Sequence, residues 1–306
     1  MGRKTRFALA VAFAAAALAA SAFVFYPYET VDALRKAALW KHGVRRVRLD
    51  GGLLAWEKDG CAPGKPCRCV ALIHGLGDSA MTWDLLLLDE RASAEGLRLV
   101  APDMPGTEGS APPSSPEGYA IRAQARTLRA ALGGVCPAWT VAGNSLGGWT
   151  SLWLALDWPE GVKELVLLDA AGISDPSGRA EESARVLADP TLAKMKEFSR
   201  RARDRDREIP ERAWLSGIAA IRARHTSDVA HALRRDELLD GRLRSLKTPV
   251  RIIWGAVDGI IPPEVGRRMH ALIPGSRYEN VQRCGHLPQR ECPEVVAREI
   301  FGAPPR

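Results

Sequence analysis

Several familiar signatures are missing from this chain of 306 residues. No internal repeat recurs at a fixed period, which excludes solenoids and propellers. No low-complexity tract is present, which excludes a disordered scaffold. Cys61, Cys67, Cys69, Cys136, Cys284 and Cys292 do not fall into the paired spacing of a structural zinc site. No cysteine precedes Cys61, so the N-terminal segment has no thiol for lipid attachment. Basic residues outnumber acidic ones 43 to 36, a formal charge of +7. The surplus is arginine mixed with acids, as in RRARDRDREIPER, without interleaved aromatics, so no nucleic-acid partner is expected. An ordinary charged surface is the default reading, and an anionic membrane is the partner such a surface suits.

What is present begins at the N-terminus. Arg3, Lys4 and Arg6 precede an uncharged run from Phe7 to Phe25. As a helix that run would span about 28 Å, close to a bilayer core. Ala20-Ser21-Ala22 also satisfies the small-x-small cleavage rule. Residues 1–25 are therefore expected to be a membrane anchor or a signal peptide. Either one exports the remainder, because positive residues stay inside. The expected location is membrane-anchored on the non-cytoplasmic side, or secreted or periplasmic if the segment is cut. An even cysteine count in an exported chain permits disulfides. The local candidates are Cys61 with Cys67 or Cys69, and Cys284 with Cys292.

Residues 26–43 read as a connecting helix with Val31, Leu34, Ala38 and Leu39 on one face. Val44–Leu49 and Leu53–Trp56 alternate around Asp50-Gly51-Gly52, a hairpin signal. Cys69–Ile73, Leu97–Ala101, Trp139–Ala142, Leu165–Leu168 and Val250–Trp254 are short apolar runs of the kind buried on both faces of a parallel sheet. Helical stretches are expected between them, near 80–95, 118–132, 146–157 and 262–273. This alternation predicts an α/β fold, a mostly parallel twisted sheet with helices on both faces, built from 44–173 and 248–306. The charged interval 174–247 is too long for a structureless loop, so a helical cap is expected there. Val186, Leu187, Leu192, Met195, Phe198, Trp214, Ile218 and Ile221 are its apolar positions, able to pack on the sheet or to form a lid.

One short stretch raises a chemical question. In VAGNSLGGW a strand runs into a helix through Ser145, with Gly143 and Gly147 beside it. Glycine relieves the crowding of so tight a turn, and the turn aims the hydroxyl at free backbone N–H groups of the helix start. A serine hydroxyl is a weak nucleophile and needs a base, which needs an orienting group. Asp258 follows the apolar run VRIIWG, and His286 sits in the later loop NVQRCGHLP. Functional groups of open α/β sheets gather at strand C-termini, and the order Ser145, Asp258, His286 suits that architecture. Developing negative charge needs hydrogen-bond donors, for which the Leu76 and Leu146 N–H groups are the candidates. This chemistry calls for no cofactor and no metal. Asp169, also at a strand end, reads as a structural carboxylate. His74 reads as a support of the Gly75-Leu76 loop, and His225 and His231 as surface residues without partners.

The segments LIHGLGDSAMTWD, LVAPDMPGTEGSAPP, VAGNSLGGWTSLWLALDWPEGVKELVLLDAAG, VRIIWGAVDGIIP and CGHLPQRECPE resemble the α/β-hydrolase superfamily in both content and order. The resemblance spans roughly 45–303 and implies Ser145 as nucleophile, His286 as base and Asp258 as its partner. A departure lies after Asp103, where the usual G-x-G-x-S turn reads Gly106-Thr107-Glu108-Gly109-Ser110. Serine at the turn argues against epoxide hydrolases and haloalkane dehalogenases, which carry aspartate there. The chain is similar to the serine esterase and lipase branch, in particular to membrane-anchored monoacylglycerol-lipase-like enzymes. The GNSxGG form is shared with carbon–carbon hydrolases of aromatic ring-fission products. The expected activity is hydrolysis of lipid-like or small acyl esters through an acyl-enzyme. The alternatives are carbon–carbon bond hydrolysis and a hydrolase-fold binder without catalysis.

Overall fold

The computed structural model describes residues 26–205 and 208–302, with Thr5 in addition. The anchor or signal segment expected at 1–25 lies almost wholly outside the described residues. Among the described residues, no helix is long and apolar enough to cross a membrane.

Eight strands make one sheet: β1 Arg45–Arg48, β2 Leu54–Asp59, β3 Arg68–Ile73, β4 Leu97–Pro102, β5 Trp139–Asn144, β6 Val162–Leu168, β7 Val250–Gly255 and β8 Arg277–Val281. Their order is β1-β2-β4-β3-β5-β6-β7-β8. The β1–β2 and β2–β4 pairs are antiparallel, and every other neighbouring pair is parallel. The central strands are nearly continuous Val, Ile, Leu and Ala because both faces are covered. Val141, Leu165 and Ile252 pack into one core, and Ala142, Val166 and Ile253 into the core on the opposite face. This alternation follows from the two-residue period of a strand.

One expectation about elements needs correction, and one strand was not foreseen. The interval 80–95 is not one helix but three short turns, Ala80–Trp83, Asp84–Leu87 and Glu90–Ser93. Four successive leucines, Leu85 to Leu88, give no helical stripe, and Leu86 and Leu87 are fully buried while Leu85 is exposed. Strand β8 had no distinct apolar signal, because it pairs with β7 alone and its residues are half-buried or exposed.

Three disulfides form, Cys61–Cys67, Cys69–Cys136 and Cys284–Cys292. Of the two partners open to Cys61, it takes Cys67. Cys69 instead joins Cys136 inside the core, a pairing that sequence neighbourhood concealed.

The helix Pro27–Lys41 starts on proline and carries Glu29 in its first turn and Lys41 in its last, each suited to its end of the helix dipole. It packs against Glu211–Ala223, one of four helices between β6 and β7. The other three are Arg179–Ala188, Leu192–Ala202 and Thr226–His231. Leu187, Met195 and Ile218 are buried among these helices, with Val186, Leu192, Phe198, Trp214, Ile221 and Leu76 packed around them. The apolar positions of the insertion thus pack on one another and reach the sheet domain at Leu76.

Candidate active site

β5 ends at Asn144 and the helix Leu146–Asp157 begins at once. Ser145 between them has φ 55° and ψ −120°, a region that few L-residues occupy. The turn depends on close backbone approach. A Cβ on Gly147 would lie 2.3 Å from the Ile73 carbonyl oxygen, and one on Gly143 would lie 2.5 Å from the Gly147 oxygen. Two backbone bonds fix the strained residue: Ser145 N–H donates to Leu168 O at 2.9 Å, and Ala171 N–H donates to Ser145 O at 3.0 Å.

Ser145 opens on a cavity of about 1080 Å³ that Gly75, Leu76, Leu146 and His286 also line. This is at the upper end for small-molecule sites. Leu76 N–H has no acceptor among the described residues, and Leu146 is the first residue of its helix, where the N–H lacks an intrahelical acceptor. A Cβ on Gly75 would sit 3.2 Å from Ser145 Cβ, so the Gly75-Leu76 loop lies directly against the serine. His74 holds that loop: its Nδ1 is 2.9 Å from Gly75 O, and its Nε2 accepts from Met104 N–H at 3.0 Å.

The acid and the histidine meet on the same side. Asp258 Oδ1 accepts from Ile260 and Ile261 N–H at 2.7 and 3.1 Å, the local turn bonding that aspartate favours. Its Oδ2 is 2.7 Å from His286 Nδ1. Both side chains are buried. With Nδ1–H donating to the carboxylate, Nε2 is the acceptor that remains for the cavity. The insertion supports both loops. His286 N–H donates to Ala202 O at 2.8 Å, and Gly259 N–H donates to Arg201 O at 2.9 Å. The Cys284–Cys292 bridge closes around the histidine loop.

Two residues of this site carried no role in the sequence reading. Asn144 donates its side-chain amide to Leu168 O at 3.1 Å and to His286 O at 3.0 Å. The signal was the asparagine of GNS itself. Glu108, the residue that breaks the expected G-x-G-x-S turn, has φ 48° and accepts from Arg224 of the insertion at 2.9 Å. It also faces Lys36 of the first helix at 3.5 Å. Burial opposes the charge of Glu108, but the Arg224 and Lys36 cations outweigh it and hold the carboxyl below its ordinary value. The other histidines do have partners: His225 pairs with Asp228 at 2.8 Å and stacks on Tyr119, and His231 Nδ1 lies 2.7 Å from Ser227 O.

Asp169, Asp258 and His286 bring their polar atoms within 4.8 Å of one another, a separation that could hold an ion. Both Asp258 oxygens and His286 Nδ1 are already hydrogen-bonded within the protein, while Asp169 Oδ2 has no partner. Cys67, Cys69 and Cys136 also cluster, but as disulfides they offer no thiolate.

The comparisons agree with this architecture. A model of the alpha/beta hydrolase family matches residues 70–299. A 2-hydroxy-6-oxononadienedioate/2-hydroxy-6-oxononatrienedioate hydrolase of Pseudomonas putida is 27% identical over 271 residues, covering 83% of this chain and 94% of that protein. Lipase 1 of Psychrobacter immobilis is 27% identical over 258 residues, covering 81% of this chain and 79% of the lipase. The solved structure of a membrane phospholipase A superposes with a TM-score of 0.75 over 97% of each chain at 23% identity, a likeness of fold. With a family match across most of its length and the strand order of that fold, the chain belongs to the alpha/beta hydrolase family.

Proposed function

We propose that this hydrolase cleaves carboxylic esters, lipid-like or of small acyl groups, through an acyl-enzyme on Ser145. The observation that carries the reading is the Ser145 turn facing a large cavity shared with His286, whose far nitrogen is held by Asp258. In the proposed reaction His286 Nε2 takes the Ser145 proton as Oγ attacks the ester carbonyl. Asp258 stays ionised and stabilises the imidazolium. The Leu76 and Leu146 N–H groups receive the oxyanion. His286 then protonates the departing alkoxide, and a water activated by the same nitrogen releases the acid.

Apolar lining from Leu187, Met195, Phe198 and Ile221 supports acyl substrates. Tyr26 and Leu34 near the N-terminal end and Leu215 on the adjoining helix are more than half exposed. These exposed apolar residues, two of which follow the uncharged run Phe7–Phe25 in sequence, support tethering at a lipid surface. Ser145→Ala should lower p-nitrophenyl butyrate hydrolysis by roughly 10⁴-fold or more. Unchanged hydrolysis would remove the assignment.

A second reading rests on the ring-fission relative and on the cavity's cations. Arg35, Arg224 and Arg290 all line the cavity. Arg35 and Arg290 share the single carboxylate of Asp84, and Arg224 pairs with Glu108, so the Arg35–Arg290 pair keeps a surplus positive charge that suits an anionic substrate. Turnover of a vinylogous 1,5-diketone faster than any ester would favour carbon–carbon hydrolysis.

A further inference from the structure

Asp169 is a buried carboxyl in contact with the acid–histidine pair that the proposed reaction does not use. It is fully buried at the end of β6, with φ 43°. Its backbone stands between the two loops that matter: Asp169 N–H donates to Ile253 O of β7, while Ser145 N–H and Ala171 N–H bond on either side of it to Leu168 O and Ser145 O. Its Oδ1 accepts from Gly255 N–H at 2.8 Å. Its Oδ2 is buried with no donor directed at it, and the neighbouring carboxyl is that of Asp258.

Two full negative charges at this separation in a buried site are not tolerated together, so one carboxyl keeps a proton. Asp258 is the better anion, since it receives two backbone N–H donors and the imidazole N–H, whereas Asp169 receives one. No cation figures among the groups that set the charge of Asp169 within the described residues. Its surroundings are Asp258 and Gly255 N–H from the β7 side, Glu291 from the segment after His286, and Tyr278 of β8. Burial first, and then the charge of Asp258, hold its carboxyl well above the usual range.

We propose that Asp169 is a positioning residue which stays protonated through the cycle and donates a hydrogen bond to Asp258, so that the acid carries one shared negative charge. The inference rests on the triad reading. A donor on Asp258 spreads its charge and weakens its hold on the imidazolium, which keeps His286 easier to deprotonate. The proton that leaves Ser145 Oγ goes to His286 Nε2 and returns to the leaving group, and the Asp169 proton stays in place.

The test is the acidic limb of kcat/KM against pH for p-nitrophenyl butyrate in the full chain. Asp169→Asn keeps a donor of the same shape and should leave the limb where it is. Asp169→Ala removes the donor and should raise the limb by about half a pH unit or more. Were Asp169 ionised in the working enzyme, Asp169→Asn would delete a negative charge and lower the limb, which would overturn the proposal. A limb unmoved by Asp169→Ala would overturn it equally, leaving Asp169 a packing residue. If Asp169→Ala does not fold, the thermal midpoints of Asp169→Asn and the parent decide. A carboxyl whose folded pKa is raised above the ordinary 3.8 contributes stability in acid that is lost as pH rises through the folded value. The Asn variant should therefore gain on the parent as pH rises from about 4 to 8, and a constant gap would count against the proposal. Ser145→Ala separates the two levels. If it keeps activity, the triad reading fails. If it is inactive and only the Asp169 results miscarry, the reading stands and the inference falls.

Discussion

Asn144 hydrogen-bonds the carbonyl of His286 at 3.0 Å, so the residue before the serine grips the loop of the histidine. The same amide bonds Leu168 O at 3.1 Å, and Gln289 Nε2 donates back to Asn144 Oδ1 at 3.3 Å. Asn144→Ala would strand the buried carbonyl of His286, since Leu168 O keeps the Ser145 N–H, at a cost of about 1–3 kcal/mol. A loosened histidine loop should also lower kcat by tenfold or more, because reacting groups must be aligned within fractions of an ångström. Thermal melts and ester kinetics on one preparation check both. A lowered melting point with kcat intact would show that Asn144 only supports the fold.

The disulfides separate stability from catalysis. Cys69–Cys136 spans 67 positions and Cys284–Cys292 spans 8. Loop-closure entropy gives the long bridge about 4 kcal/mol and the short one about 2.5 kcal/mol. The double serine variant at Cys69 and Cys136 should therefore lose more stability while keeping kcat in the folded state. The pair at Cys284 and Cys292 should lose less stability and more kcat, because it brackets His286. Urea titration and kinetics at low urea measure the two effects. The reverse ranking in both would contradict this division.

The sheet was legible because β3 to β7 are covered on both faces, which leaves unbroken apolar runs in the sequence. Strand β8 was not, because a lone neighbour and polar residues such as Arg277, Glu279 and Asn280 leave no such run. Ser145, Asp258 and His286 stood out because each follows an apolar run or sits among glycines that permit a tight turn. Asn144 carried no role in the sequence and Asp169 read only as a structural carboxylate, for a shared reason. Their roles are bonds to groups 142 and 86 positions away, His286 O and Gly255 N–H, and no local pattern encodes a contact that β-sheet order creates. Cys69 with Cys136 is the same case.

Glu108 links the insertion to the first helix and should make the molecule sensitive to acid. Its carboxyl is held below the ordinary 4.5, so its stabilising effect is complete above about pH 4.5 and fades as pH falls through the lower folded value. Glu108→Gln leaves Arg224 largely buried with Asp78 as its remaining carboxylate neighbour. It should cost about 1–3 kcal/mol at neutral pH, an intermediate figure because Glu108 is partly exposed. The gap between variant and parent should close on acidification, opposite in sign to the Asp169 comparison. Melting points from pH 3 to 7 test it. A gap that persists at pH 3 would assign the loss to packing.

Exposed apolar residues on two adjoining helices bear on how a lipid ester reaches Ser145. Leu34 is 64% and Leu215 51% exposed, and their helices, Pro27–Lys41 and Glu211–Ala223, pack on each other. Both helices also contribute to the cavity wall, through Tyr28 and Arg35 on the first and Gly217 and Ile221 on the second. If this face meets a bilayer, each leucine loses water contact on docking, worth about 1.5–3 kcal/mol for full burial. Leu34→Glu with Leu215→Glu, in the full chain, should then cut hydrolysis of vesicle-embedded esters by roughly tenfold to a hundredfold, since a charge replaces an apolar contact. Hydrolysis of a soluble butyrate ester should stay within about twofold, because exposed substitutions away from the buried groups have small effects on the fold. An anchor alone cannot produce that split, since it would hold parent and variant at the membrane equally. Equal losses on both substrates would point to damage in the cavity wall, and no loss on vesicles would turn the face toward water.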